Sequence, residues 1–261
     1  MLKFPKKKSE LLIGSVYYKS ANNKLWYSLQ QKFISKNTNS FDFVVCSNYV
    51  NQKIFDPDHI IYAIDGPIKK ALHGDGLNFI INYAIKKKYK KLLLLDSDCF
   101  PVLDNWQGIL EKDMEEFLVA AIVRCEKLDL FLHPSACYIR DLPKAEIYFS
   151  YVELSNLISS KFIELSGNID IGNFYPLLRS NAININPLLF GIYKNMFYHH
   201  GAGSYTVDPI KYNNSGPMKG YFGKGYYGMK NYKSINEIVL KKLKSEPDVF
   251  IKYLSEYKPP I

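Results

Sequence analysis

Two acidic residues separated by one position are the part of this sequence best suited to chemistry. The apolar run Leu92–Leu95 is followed directly by Asp96-Ser97-Asp98. Such a run is typical of a strand covered on both faces, and ligands of open α/β sheets bind beyond the carboxyl ends of strands. Paired carboxylates repel each other and are costly to desolvate without a cation. A divalent ion such as Mg²⁺ or Mn²⁺ fits there, because it shares its shell between carboxylates, phosphate oxygens and water. The alternative is a solvated turn with an Asp cap.

A second group of candidate ligands lies late in the chain, within Tyr198–Ser204. His199 and His200 are adjacent there, and a neutral imidazole is a good Mn²⁺ ligand. The glycines that follow allow the backbone to approach a phosphate closely, and a loop here could close over a ligand as a lid. The alternative is a pair of surface histidines. The sequence does not favour either His199 or His200 as the ligand.

The elements that must position these residues alternate along the first half of the chain. Apolar β-rich runs alternate with helical patterns, which indicates a parallel sheet with crossover helices. A long loop rich in Gly and Tyr is predicted over residues 201–229. The predicted strands are Leu11–Tyr17, Phe43–Cys46, Ile60–Ile64, Leu92–Leu95 and Phe117–Val123, and the predicted helices are Asn22–Phe33, Leu77–Ile85, Ile235–Leu243 and Asp248–Tyr253.

Composition excludes several classes of protein. The 261 residues are 47% hydrophobic and 23% charged, which is ordinary globular usage and argues against wholesale disorder. No apolar run approaches the ~20 residues of a membrane helix. No apolar stretch follows the basic segment Met1–Lys8, so no signal peptide is predicted and the cytoplasm is the expected compartment. The four cysteines lack paired spacing, which favours free thiols over a zinc module.

The net charge of +9 suggests an anionic partner, such as nucleic acid, anionic lipid or a phosphorylated small molecule. A non-catalytic nucleic-acid-binding protein is therefore the alternative function. It would need basic and aromatic residues interleaved on one face, and the predicted strands are dominated by apolar residues, so no nucleic-acid partner is expected. Five of the six residues from 86 to 91 are lysines. They lie between a helix end and a strand start, away from the acidic pair, where a solvated face or a peripheral membrane contact is expected.

Two enzyme classes place Asp-x-Asp after an apolar strand. In haloacid-dehalogenase phosphatases the motif continues with small residues and lies near the N-terminus, whereas here Cys99-Phe100-Pro101 follows and three predicted strands precede it. The chain instead resembles glycosyltransferases of the GT-A fold, similar to family 2 and its relatives, over roughly residues 10 to 205. The resemblance rests on the Asp-x-Asp turn, the segment His73–Asn78, the stretch His133–Ser135 and the late histidine segment.

That resemblance implies an α/β domain with a mixed central sheet flanked by helices. It also implies metal-dependent transfer of a sugar, with inversion, from a nucleotide-diphosphate donor to a hydroxyl of a glycan or lipid-linked acceptor. Surface glycan, capsule or lipopolysaccharide synthesis is the pathway expected by analogy. One GT-A-like domain over residues 1–261 is expected, with a nucleotide-sugar half (10–125), an acceptor and lid half (126–230) and C-terminal helices (231–261).

The resemblance also implies the roles of particular residues. The implied metal ligands for Mn²⁺ or Mg²⁺ are Asp96, Asp98 and one of His199 and His200; the implied donor-binding residues are Ser15, Tyr17, Ser47, Asp65, His73, Asn78, Asp96 and Ser97; His133 would bind the acceptor and Asp170 would act as the catalytic base.

Three of these roles have particular reasons. Tyr17 would stack on the base at the end of the first strand. Family 2 members often have an Asp that reads uracil near the end of the second strand, where this chain has Ser47 and Asn48, so Asp65 is the substitute. Asp170 precedes a helical pattern in the place where relatives carry an acidic residue, although the acidic pair of many family 2 members is absent, and the alternative is an N-cap.

Overall fold

The central element is a mixed sheet with helices on both faces. The structure is a computed structural model and describes residues 9–18, 20–64, 73–115, 117–126, 129–145, 147–149, 156–158, 162–164, 191–200 and 229–256. The helices are α1 (Asn23–Asn37), α2 (His73–Lys86), α3 (Trp106–Met114), α4 (Met229–Ser245) and α5 (Pro247–Glu256). The strands are β1 (Leu11–Tyr18), β2 (Asp42–Asn48), β3 (Ile60–Ile64), β4 (Lys91–Asp96), β5 (Cys99–Pro101), β6 (Val119–Glu126), β7 (Asp129–Ile139), β8 (Ile147–Phe149), β9 (Asn156–Ile158), β10 (Phe162–Glu164), β11 (Gly191–Tyr193) and β12 (Phe197–His199).

Seven strands form the main sheet in the order β10-β6-β7-β4-β1-β2-β3. The strands β4, β1, β2 and β3 run parallel, whereas β7 is antiparallel to both β4 and β6. A second sheet has the order β11-β12-β5, and β8 pairs with β9. This confirms the predicted α/β class with a mixed central sheet flanked by helices. No helix among the described residues is long and apolar enough to cross a membrane.

The strand β4 lies in the middle of the sheet and is covered on both faces. Leu93 and Leu95 pack in a core with α1, α3, α4 and α5, while Leu92 and Leu94 pack in a second core with α2. All four leucines are fully buried. The unbroken apolar run is therefore explained by burial of the strand on both faces of the sheet.

The register brings three strand ends to one edge. Val16 in β1 lies opposite Asp96 in β4, and Tyr18 lies opposite Asn48 in β2. The lysine-rich stretch 86–91 lies at the amino-terminal end of β4, away from Asp96, as predicted. The acidic pair thus lies at the carboxyl edge of the sheet and the lysine-rich stretch at the opposite edge, where Lys90 and Lys91 form ion pairs with Glu10 and Glu111.

Several element bounds differ from the sequence prediction, and α3, β5 and β7 to β12 are absent from it. The helix α2 begins at His73 rather than after Gly76, because Gly76 lies against β1, where an added Cβ would approach both Val16 methyl groups to 2.9 Å. The glycine therefore permits close helix–strand packing and does not mark a turn. His133 lies inside β7 rather than in a stretch after the fifth strand. Of the loop predicted over residues 201–229, residues 201–228 lie outside the described residues, and Met229 begins α4.

Candidate metal and active site

The acidic pair, an imidazole from β12 and a second imidazole from α2 converge at the carboxyl end of β4. The His199 Nε2 atom lies 3.6 Å from Asp96 Oδ2 and 3.6 Å from Asp98 Oδ1. The His73 Nε2 atom lies 3.3 Å from Asp96 Oδ1. The side chains of Asp98 and His199 are 4% and 2% exposed, whereas that of Asp96 is 17% exposed. The group is therefore largely buried, and Asp96 is the more exposed of its two aspartates.

The pairing of β5 with β12 brings His199 to the acidic pair. After Asp98 the chain enters β5, and His199 in β12 lies directly opposite Cys99. The His200 amide donates a hydrogen bond to the Asp98 carbonyl oxygen, 3.1 Å away. One residue of slip in this register would turn the other face of β12 toward the carboxylates.

The adjacent histidine has a different environment. His200 Nδ1 lies 3.0 Å from the Tyr198 hydroxyl, and its ring lies 4.7 Å from the Trp26 ring between centroids. His200 is fully buried and is not a member of the group whose ligand atoms could share an ion. Of the two predicted histidine ligands, the structure therefore brings His199 to the carboxylates and uses His200 in packing.

The donor set of Asp96, Asp98 and His199 fits a divalent cation. One ligand atom from each residue lies within 4.8 Å of the other two. Ligands about 2.0–2.1 Å from such an ion lie about 3.0 Å apart when at right angles and about 4.2 Å apart when opposite. The observed spacings need only small side-chain adjustments. Two carboxylate oxygens with one imidazole nitrogen suit Mn²⁺ or a similar ion, and three positions of an octahedral shell remain for other ligands.

The electrostatics of the group indicate a place for positive charge. Burial by itself lowers the pKa of His199, but hydrogen bonding to Asp96 and Asp98 and their charges outweigh it, so the pKa is raised above its usual value. A protonated imidazole and a divalent cation are therefore alternative partners for the same two carboxylates. Burial, together with the charges of Asp96 and Asp98, also raises the pKa of the Cys99 thiol. Cys99 is not a member of the group whose ligand atoms could share an ion.

A tyrosine orients the His199 ring. The Tyr193 hydroxyl in β11 lies 2.6 Å from His199 Nδ1, on the side of the ring away from the carboxylates. If Nε2 binds a metal, Nδ1 carries the proton and donates a hydrogen bond to the tyrosine oxygen. Such a partner fixes both the tautomer and the direction of the ligand lone pair.

The other side of Asp96 is held by β7 and α2. The Ser135 hydroxyl donates a hydrogen bond of 3.0 Å to Asp96 Oδ2, and His73 faces Oδ1. Close packing of α2 on β1 brings His73 to this edge, because Gly14 and Gly76 leave room for the side chains of Ile80 and Val16. The amino terminus of α2 therefore directs the positive end of its dipole toward this edge of the sheet.

Several predicted donor-binding residues are buried. Ser15, Tyr17 and Ser47 are each 0% exposed, and Ser97 is buried as well. Tyr17 cannot stack on a base, because its ring has no exposed face; the prediction is corrected, and Tyr17 is a core residue whose hydroxyl donates to Gln30.

The residue next to Tyr17 has the exposed ring. Tyr18, at the end of β1, is 49% exposed and makes an edge-to-face contact of 5.9 Å with Tyr49. Because neighbouring residues of a strand point to opposite faces, a one-residue difference separates the core tyrosine from the surface one.

The remaining predicted residues lie on α2 or β7, or fall outside the described residues. Asn78 lies five residues after His73, which is about 140° around α2. His133 is a residue of β7, as described above. Asp65 and Asp170 lie outside the described residues.

Sequence reasoning missed Gln30 and Tyr193, and it named Ser135 only as part of the His133–Ser135 stretch. Both missed residues act through other side chains or through the backbone. A buried Gln within the apolar face of α1 was the available signal, since such a group needs hydrogen-bond partners.

No protein-family model matches the chain, and no curated protein matches it. Solved structures similar to it include the glycosyltransferase GlyE from Streptococcus pneumoniae TIGR4, at 15% identity and a TM-score of 0.35 over 51% of this chain and 34% of that chain. The galactosyltransferase LgtC in complex with donor and acceptor sugar analogues matches at 10% identity and a TM-score of 0.33, over 51% of this chain and 58% of that chain. A glycosyltransferase involved in glycosylation of the major capsid of PBCV-1 matches at 11% identity and a TM-score of 0.33, over 50% of this chain and 59% of that chain. The chain thus spans about a third to three fifths of these proteins, and the function proposed below rests on the geometry of the site.

Proposed function

We propose that this chain is a metal-dependent glycosyltransferase that moves a sugar from a nucleotide-diphosphate donor to a hydroxyl acceptor. The observation that carries the proposal is the group Asp96, Asp98 and His199 at the carboxyl end of a buried strand. Three ligands from the protein leave about half of an octahedral shell for phosphate oxygens and water. A diphosphate is the ligand that such an incomplete shell suits best.

Each residue of the group has a distinct task in this proposal. Asp98 and His199, both buried, would hold the cation on its buried side. Asp96, more exposed, would face the ribose and the open side of the metal shell. When bound, a divalent cation supplies Lewis-acid stabilisation of the negative charge on the departing diphosphate. Mn²⁺ or Mg²⁺ is the proposed ion, and the imidazole ligand favours Mn²⁺.

The nucleotide would lie along the same edge of the sheet. The amino terminus of α2, which carries His73, supplies positive potential for phosphate oxygens beside Asp96. Tyr18, about half exposed at the end of β1, offers a ring face on which a base could stack. Tyr18 therefore takes the role predicted for Tyr17 in this proposal.

The acceptor side of the proposal depends on the resemblance alone. Asp170 is retained as the general base of an inverting transfer, a role worth typically ~10²–10⁴-fold in rate, and His133 as an acceptor contact. The proposed acceptor is a glycan or lipid-linked hydroxyl in surface glycan, capsule or lipopolysaccharide synthesis, with peripheral membrane contact through the lysine-rich stretch 86–91.

The test is nucleotide release from a panel of nucleotide-diphospho-sugars, with Mn²⁺ and with EDTA. We expect one donor to release its nucleotide in a Mn²⁺-dependent manner. Asp98→Asn should reduce that rate at least about 100-fold, since loss of even an outer-shell partner typically costs ~10–100-fold. Asp104→Asn, at an exposed aspartate outside the group, is the matched control and should behave as wild type.

A contrary outcome is equally concrete. Wild-type protein that releases no nucleotide from any donor, shows no Mn²⁺-dependent thermal shift and binds single-stranded nucleic acid in a salt-sensitive manner would favour the nucleic-acid-binding alternative. Equal loss of activity in Asp98→Asn and Asp104→Asn would also contradict the assignment.

A further inference from the structure

A buried glutamine on α1 contacts the backbone of the acidic turn from below. Gln30 is 0% exposed, although its neighbours on the same helix face, such as Trp26 and Phe33, are apolar core residues. Its Nε2 atom donates to the Asp96 carbonyl oxygen at 2.8 Å and to the Cys99 carbonyl oxygen at 2.8 Å. One amide group therefore joins the two ends of the four-residue turn that carries both carboxylates.

The hydrogen-bond network also determines the orientation of this amide. The two backbone carbonyls can only accept, so the amide nitrogen must face them. On the other side, the Tyr17 hydroxyl donates to Gln30 Oε1 at 2.6 Å, and the Ser15 hydroxyl oxygen lies 3.3 Å from Nε2. Burial raises the pKa of Tyr17 well above its usual value, so its hydroxyl remains a donor. A flipped amide would put its oxygen against two carbonyls and lose both hydrogen bonds to them.

We infer that Gln30 is a positioning residue that holds the Asp96-Ser97-Asp98-Cys99 turn in the shape required for cation binding. The inference rests on the proposed function, since it assigns a purpose to the metal group. By holding Asp96 and Cys99 to one nitrogen, Gln30 sets the spacing of the two carboxylates. Because Cys99 is also the residue that pairs with His199, the same amide holds the third ligand in register.

The chain supplies a matched control on the same helix. Asn37 follows Gln30 by seven residues, which is about two turns and returns to the same face of α1. It is also buried, and its Nδ2 atom donates to the Pro101 carbonyl oxygen of β5 at 2.9 Å. Asn37 thus makes the same kind of side-chain to carbonyl bond to the same strand, but beyond the acidic turn.

The experiment compares Gln30→Met with Asn37→Leu in the full chain. Both changes remove an amide and keep an apolar group of similar size, so both should lower thermal stability without metal. Only Gln30→Met should weaken Mn²⁺ binding, by about tenfold as is typical of outer-shell partners, measured by titration calorimetry with Mn²⁺ alone. It should also broaden the Mn²⁺ electron paramagnetic resonance spectrum, a signature that a general loss of stability does not produce.

The outcomes separate the inference from the proposed function. Wild-type Mn²⁺ affinity in Gln30→Met, or equal weakening in both variants, would overturn the role of Gln30 while leaving the metal site intact. Absence of Mn²⁺ binding in wild type would overturn the proposed function, and this inference with it. If Gln30→Met does not fold, Tyr17→Phe decides, since it removes only the hydroxyl that orients the amide: weaker Mn²⁺ binding supports the inference, and unchanged binding overturns it.

Discussion

The two adjacent histidines provide the sharpest test of the metal site. His199→Phe and His200→Phe each keep a ring of similar volume and remove both imidazole nitrogens. In the first variant a proposed ligand 3.6 Å from both carboxylates is lost. In the second, the ring stays against Trp26 and both carboxylates keep His199. Only His199→Phe should therefore change the response of the protein to Mn²⁺.

The expected magnitude follows from linkage between binding and stability. At a Mn²⁺ concentration of 100 times its Kd, wild type gains about 2.7 kcal/mol of stability. Loss of an outer-shell partner already weakens metal binding ~10–100-fold, so loss of the ligand itself should weaken it about 100-fold. The same Mn²⁺ concentration then equals the new Kd and stabilises the variant by only about 0.4 kcal/mol. For a chain of this size about 2–4 °C corresponds to each kcal/mol, so the Tm shift should fall from about 5–10 °C to about 1 °C.

The assay is differential scanning fluorimetry with and without Mn²⁺ for wild type and both variants. Each variant serves as its own reference, so a lower metal-free Tm in either one does not affect the comparison. A full Mn²⁺ shift in His199→Phe, or a lost shift in His200→Phe, would refute the assignment of His199 as the ligand. Equal loss in both would indicate that the β5–β12 pairing, rather than one imidazole, had been disrupted.

Three further predictions concern the surroundings of the site. First, because the pKa of His199 is raised, its contribution to metal-free stability is fully present below the unfolded pKa of about 6.5 and is lost as pH rises through the folded pKa. Mn²⁺ needs the neutral imidazole, so the affinity for Mn²⁺ should rise over that same window. Calorimetry that gives a pH-independent Kd between pH 6 and 8 would contradict this. Second, Tyr193→Phe should weaken Mn²⁺ binding about tenfold, measured by calorimetry, without a change of fold, measured by circular dichroism. An unchanged Kd would remove Tyr193 from the site. Third, Gly14→Ala puts a Cβ 2.4 Å from Ile80 Cγ2 and should cost about 1–3 kcal/mol in urea unfolding, partly recovered by adding Ile80→Ala; a neutral result would mean that α2 does not need its close approach to β1.

Local patterns were sufficient to predict the acidic turn. A run of four leucines ending in Asp96-Ser97-Asp98 requires no knowledge of distant residues, because burial on both faces of a strand imposes its composition along the chain itself. The same holds for the α/β class and for the predicted strands and helices, whose apolar periodicity is a local property. The sequence by itself therefore determined the fold class, the strand end that carries the site and the presence of late histidines.

Only the tertiary structure decided which residues share the site. Adjacent strand residues point to opposite faces, so the choice between His199 and His200, like that between Tyr17 and Tyr18, depends on register and on which face is covered. The pairing of β5 with β12 and the packing of α2 on β1 are contacts between segments far apart in sequence, and no local pattern specifies them. Gln30 belongs to the same class, because a hydrogen bond from α1 to the turn after β4 exists only once both have packed together.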